Sequence, residues 1–271
     1  MATNQITKAI SRALHEGLRV VLATVLDSGS AAVSVGDKLL VYESGQCIGS
    51  FRNAPLDEAI ARQGTAFLQT RDATKTLRVA EFAPALTELA GVTVLFEQLE
   101  SEPRLVIAGA GHVGASLARL AALIGYRVTL IDDRAEFVDR RLFGAASDET
   151  IQLIAADDWQ TAMRQAIGNG RGVSVAIVTR GHKQDEDCLR AAIETAPDYV
   201  GMIGSKRRTN IVLDKLREEG ANEVQLKKVR APIGLDIGAV SPEEVALSIL
   251  AEIVAERRGG GGASLSKWRR G

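Results

Sequence analysis

Residues 104 to 114 read RLVIAGAGHVG, an apolar run that ends in three glycines spaced G-x-G-x-x-G. The stretch ASLARLAALIG that follows is helix-forming, so the whole reads as a strand, a tight turn and a helix. In that context Gly109 permits the turn, Gly111 lets a pyrophosphate approach the backbone, and Gly114 lets the helix pack close to its strand. Exposed amides at the helix start then face the anion. Asp132 ends the next strand, RVTLID, 18 residues after Gly114. A carboxylate there accepts hydrogen bonds from ribose hydroxyls and disfavours a 2′-phosphate, although Arg134 close by works against the second inference. The alternative is a strand, turn and helix whose glycines serve packing alone.

The pattern continues on the carboxyl side of this stretch. Apolar strands RVTLID, VSVAIVT and YVGMIG alternate with the helical stretches DDWQTAMRQAIG, EDCLRAAIETA, TNIVLDKLREEG and EEVALSILAEIVAERR. Near-continuous apolar strands between amphipathic helices mean a doubly wound, Rossmann-like α/β parallel sheet covered on both faces. On the amino side the pattern changes at Ser101-Glu102-Pro103, a short polar link with a proline just ahead of a fresh strand. Before it, Ile6, Ile10, Ala13 and Leu14 form one face of a helix, followed by strand-like RVVLATVL, KLLVY, TLRVAEF and VTVLF. The expected organisation is a smaller α+β domain over residues 1–100, the Rossmann-like domain over 103–258 and a flexible glycine-rich, basic tail over 259–271.

Bulk properties narrow the function classes. With 46% hydrophobic and 25% charged residues and a formal net charge of −1, the 271-residue chain carries neither a nucleic-acid footprint nor the composition of a disordered acidic protein. Cys47 and Cys188 match neither a zinc pattern nor a disulfide framework, which fits a reducing compartment. The amino-terminal MATNQITKAISRALHEG lacks the apolar core of a signal peptide, and no run reaches the roughly 18 apolar residues of a membrane span. Cytoplasm is the expected location.

Three further loops carry candidate residues. TRGHKQDED lies at the carboxyl end of strand VSVAIV, where ligands collect in open parallel sheets, so Thr179, Arg180, His182 and Asp185 are expected to face the same crevice as the glycine turn. His112 and His182 both fall in expected loops, where an imidazole bonds a phosphate, transfers a proton or binds metal. A metal is the weaker reading without further ligands at regular spacing, and His182 as a residue that caps backbone groups is the bland one. GMIGSKRRTN forms a second candidate anion site: Gly204 and Ser205 lead into a helix whose first turn holds Lys206, Arg207 and Arg208. Cations at a helix N-terminus are unfavourable unless an anion offsets them; a solvated basic turn is the alternative. In GLDIGAVSPEEVA, Ser241, Pro242 and Glu244 read as a capping box, and Asp236 ahead of them either reaches a ligand or forms the turn.

The combination GAGHVG, DDR, TRGH followed by Asp185, IGSKRR and PIGLDIGAVSPEEVA, in this order, resembles the XdhC/CoxI family, the accessory factors of xanthine dehydrogenase and related molybdenum hydroxylases. The resemblance covers most of residues 103 to 258. It implies a Rossmann-like carboxyl-terminal domain, an amino-terminal domain special to the family, and binding of molybdenum cofactor for maturation and delivery to an apo molybdenum hydroxylase. A cysteine desulfurase and a second copy of the chain, as a homodimer, are further expected partners; nucleic acid and membrane are not. Where many relatives carry a glycine run, often ending in cysteine, this chain has FRNAPLDEAI, so no cysteine role passes to Cys47. Arg52 and Asn53 are candidates for phosphate contact there, and Pro55 with Leu56, Asp57 and Glu58 reads as a helix start.

The reading is therefore a cofactor-binding chaperone rather than a catalyst. Its cofactor-binding set is Gly109, Gly111, His112, Gly114, Asp132, Arg134, Thr179, Arg180, His182, Asp185, Gly204, Ser205, Lys206, Arg207 and Asp236, with no catalytic residue or metal ligand assigned. The competing enzyme reading is an NAD-dependent oxidoreductase with His182 as acid or base. A third is a structural partner of the hydroxylase that binds no cofactor.

Overall fold

The computed structural model describes residues 2–29, 33–70, 72–139, 141, 143 and 150–266; residues 267–271 of the expected flexible tail lie outside them. The chain divides between Ser101 and Glu102 into two compact units. No helix among the described residues is long and apolar enough to cross a membrane.

In the first unit α1 (Ala2–His15), β1 (Val20–Asp27), β2 (Lys38–Tyr42), β3 (Cys47–Gly49), α2 (Ala54–Phe67), β4 (Thr74–Arg78), α3 (Val79–Phe82) and β5 (Thr93–Leu99) follow in order. The strands form an antiparallel sheet ordered β3-β2-β1-β5-β4. Period-two alternation splits β1 between two cores: Val21, Ala23 and Val25 pack with Leu56, Ile60 and Phe67 of α2, whereas Val20 packs with Ile6 and Ala13 of α1. The helix start expected at Pro55 is present, but Asn53 serves it from within, its Oδ1 accepting from the Leu56 amide at 3.1 Å. TLRVAEF is not one strand. The strand stops at Arg78 because the Glu81 carboxylate reaches back to the Arg78 amide at 2.9 Å and turns VAEF into α3.

The second unit runs β6 (Arg104–Ala108), α4 (His112–Leu123), β7 (Arg127–Asp132), β8 (Ile151–Ala155), α5 (Trp159–Ile167), β9 (Val173–Ile177), α6 (His182–Thr195), β10 (Tyr199–Met202), α7 (Lys206–Glu218), α8 (Glu223–Leu226) and α9 (Pro242–Arg258). All five strands are parallel, in the order β10-β9-β6-β7-β8. Alternate residues of each strand face opposite layers. Val106, Ala108, Val175 and Ile177 pack with Met163 of α5 and Leu189 of α6; Leu105, Ile107 and Ala176 pack with Leu117 of α4 and Ile249 of α9. The sheet is thus covered on both faces, which explains why its inner strands read as near-continuous apolar runs. The capping box that opens α9 is present as read, Ser241 Oγ accepting from the Glu244 amide at 3.2 Å.

Candidate functional site

At the carboxyl end of β6 the chain passes through Gly109 at φ +107°, a region that favours glycine, and a Cβ there would come within 2.6 Å of the Val178 carbonyl oxygen. Gly114 meets a steric demand of another kind: its Cβ would stand 1.8 Å from the Gly109 carbonyl oxygen, so only glycine lets α4 close onto the turn. Gly111 differs from both. It is the N-cap of α4 at φ −64°, open to any residue, and a Cβ would meet nothing within 4 Å. Nothing inside the fold demands glycine at 111, and the space it leaves open lies at the start of a helix, where amides lack intrahelical partners.

The same arrangement recurs one strand over. Gly181 is the N-cap of α6 and His182 its first residue, as Gly111 and His112 are for α4. Strands β6 and β9 are neighbours, with Ala108 paired to Ile177, and the strand order reverses between them. That is the topological switch point at which α/β sheets bind ligands. Sequence places His112 and His182 in loops; both are instead the first residues of helices, because each follows a glycine in extended conformation that can cap, and both imidazoles are exposed.

A cavity of about 90 Å³ opens here, lined by Gly109, Gly111, Arg134, Trp159, Thr179 and Arg180 among others, including Asp132. Asp132 is 1% exposed and its acceptor positions are filled from within. Oδ2 accepts from the Ala110 amide at 2.7 Å and Arg134 Nη2 at 3.0 Å; Oδ1 accepts from Arg134 Nε at 2.8 Å and the Arg134 amide at 3.0 Å. A carboxylate offers roughly four such positions. Burial alone would raise this carboxyl, but the Arg134 fork and the two amides outweigh it and hold it below its ordinary value. Asp132 therefore fastens the glycine turn to Arg134, and a ribose diol would have to displace that arginine. The guanidinium itself is braced over the Phe137 ring at 3.7 Å. Arg180 is exposed and lies 3.3 Å from Asp133.

Asp185 lies deeper than expected. Four residues past the Gly181 cap, it falls on the inner face of α6 and is fully buried. Thr179, which lines the cavity, donates to its Oδ1 at 2.5 Å, and Arg208 of α7 sets its guanidinium against Oδ2. Burial pushes this carboxyl up in spite of Thr179 and Arg208. The basic start of α7 is accordingly not uniform: Arg208 has an internal counter-charge, while Lys206 and Arg207 are exposed and neither side chain has a partner among the described residues. Ser205 caps α7 as read, its Oγ accepting from the Arg208 amide at 3.3 Å. Asp236 stands exposed in the loop ahead of α9 and is not among the residues that line the cavity.

Sequence reading missed Trp159 and Gln184, which also line the cavity. Trp159 was recoverable in principle. Once IQLIA is taken as β8, Asp158 becomes the N-cap of α5, its Oδ2 accepting from the Thr161 amide at 2.7 Å, and Trp159 falls at the same edge of the sheet as the glycine turn.

Fold and crevice together define a Rossmann-type α/β domain whose glycine turn opens onto a switch point. The model of the XdhC Rossmann domain matches residues 105–253, and that of the XdhC and CoxI family matches residues 13–80. The chain belongs to the XdhC and CoxI family. It is 28% identical over 239 residues to a probable xanthine dehydrogenase subunit of Bacillus subtilis, covering 86% of this chain and 63% of that protein. It is 27% identical over 250 residues to the protein YqeB of Escherichia coli, covering 91% and 45%. Against the molybdenum cofactor insertion chaperone PaoD of Escherichia coli the identity is 30% over 154 residues, covering 57% and 40%. The chain thus spans between 40% and 63% of the length of these relatives. A crystal structure described as a xanthine dehydrogenase from Bacillus halodurans shares the fold, with a TM-score of 0.64 at 20% identity over 96% of this chain and 68% of that one.

Proposed function

We propose that this protein is an accessory factor that binds molybdenum cofactor and assists its maturation and insertion into a xanthine dehydrogenase-type molybdenum hydroxylase. Family membership supports this reading, as do the names of two relatives, a molybdenum cofactor insertion chaperone and a probable xanthine dehydrogenase subunit. The structural observation that carries it is Gly111, a glycine with no internal reason to be one, at the start of α4 on the switch-point crevice.

The residues present fit the anionic end of such a cofactor. Gly111 clears the approach, the first-turn amides of α4 receive phosphate oxygens, and Arg134 and Arg180 supply cationic donors at the cavity wall. Thr179 spends its proton on Asp185 and is left to accept. When bound, the cofactor supplies the molybdenum centre of the hydroxylase; this chain holds, shields and releases. No proton transfer by His182 is required. The nicotinamide alternative loses its usual ribose anchor, since the oxygens of Asp132 already face protein donors.

The test is to incubate purified protein, molybdenum cofactor and apo-hydroxylase, follow hydroxylase activity, and monitor nicotinamide absorbance with the protein alone. Activation in the first assay, reduced by His182→Ala, and no turnover in the second is the expected result. Multiple turnover of nicotinamide without activation of the hydroxylase leaves an oxidoreductase in place of this reading.

A further inference from the structure

We infer that the start of α7 is a second anion-binding subsite, built to take a phosphate group on the buried donors Thr209 and Arg208. A helix N-terminus bearing cations would be a thin argument by itself, and two side chains beneath it carry the inference. Thr209 is 3% exposed, and its Oγ1 has no hydrogen-bond partner. Arg208 Nε is likewise buried and unpaired, while its Nη2 is taken up by the ion pair with Asp185. These atoms border one spot: a Cβ on Gly204 would lie 3.6 Å from Arg208 Cδ and 3.7 Å from Thr209 Oγ1.

Native folds seldom leave several polar atoms unpaired in one place. An anionic oxygen beside Gly204 accepts from the Thr209 hydroxyl and from Arg208 Nε together. It also offsets the positive end of α7 and the exposed Lys206 and Arg207, whose charges are otherwise of the wrong sign for that end. A carboxylate is already present at Asp185, so a doubly charged group such as phosphate suits the remaining cations better than a second carboxylate. None of these donors belongs to the glycine turn. The subsite stands apart from the reading proposed above, although Asp185 joins Arg208 to Thr179 on the cavity wall.

The experiment titrates inorganic phosphate into the full chain carrying Gly111→Val, which blocks the glycine turn, with calorimetry and phosphorus NMR as readouts. Saturable binding is expected there. Thr209→Val in the same background weakens it by about tenfold, and Thr209→Ser, which keeps the hydroxyl, restores it. Lys206→Ala with Arg207→Ala, on the surface and harmless to folding, weakens binding and flattens its salt dependence. Equal affinity in the Val and Ser variants overturns the inference. Absence of saturable phosphate binding in the folded Gly111→Val chain also overturns it, and leaves the glycine-turn reading untouched.

Discussion

Two buried aspartates in the second unit, each at the carboxyl edge of the sheet and each facing an arginine, are shifted in opposite directions from the ordinary carboxyl pKa. Asp132 is held below its ordinary value and Asp185 is pushed above it. Burial raises both carboxyls; it prevails at Asp185 and is outweighed at Asp132. The donors that oppose it differ. Asp132 receives two backbone amides and a well-aligned arginine fork. Asp185 receives one hydroxyl and one arginine nitrogen. The first carboxylate is a completed structural joint behind the glycine turn; the second sits in a polar cluster with donors to spare.

The largest expected effect follows from removing the completed joint. Asp132→Ala strands the Ala110 amide and a partly buried guanidinium, and the loss is about 3 kcal/mol of stability, read as a lower urea midpoint at unchanged slope. A midpoint equal to wild type would mean that the fork does not hold the turn.

Opposite pH slopes come next. The folded pKa of Asp132 lies below the unfolded value of about 3.9, so its contribution to stability is present above that pH and is lost as pH falls through the folded pKa. The folded pKa of Asp185 lies above the same value, so its contribution is full below about pH 3.9 and is lost as pH rises through the folded pKa. The stability of wild type relative to Asp132→Asn therefore grows as pH rises from acid, and relative to Asp185→Asn it falls. Parallel slopes for the two variants would erase the distinction between the sites.

Glycine 111 gives the smallest effect on stability and the most informative. With nothing within 4 Å of a Cβ, Gly111→Ala should cost less than about 1 kcal/mol, the scale of an N-cap change. Gly114→Ala, driven into the Gly109 carbonyl, should cost more than that by thermal melting. A large loss at 111 would show that its glycine serves packing after all.

What the sequence made legible follows from the same physics. Both-face burial writes the parallel sheet into RLVIA, RVTLID and VSVAI as near-continuous apolar runs, and the glycine spacing marks the switch point. IQLIA escaped notice because β8 is an edge strand, only partly buried, with Gln152 breaking the apolar run. TLRVAEF misled because Val79 and Phe82 carry strand propensity, while the bond from Glu81 to the Arg78 amide that ends the strand is a three-residue reach with no apolar signature. In the crevice, position was readable and depth was not. Sequence puts Thr179 and Asp185 at this edge of the sheet, but the inward face of α6 takes Asp185 only once the helix is seen to begin at His182. The pairing of Arg208 with Asp185, 23 residues apart in sequence, has no local trace.

Calorimetry of Gly111→Val against wild type, under anaerobic conditions with purified molybdenum cofactor, asks whether the glycine turn at the switch point holds the anionic end of that cofactor, as proposed. The expected result is a variant with unchanged circular dichroism that no longer binds. A folded variant that binds cofactor as tightly as wild type would rule the glycine turn out as the binding site.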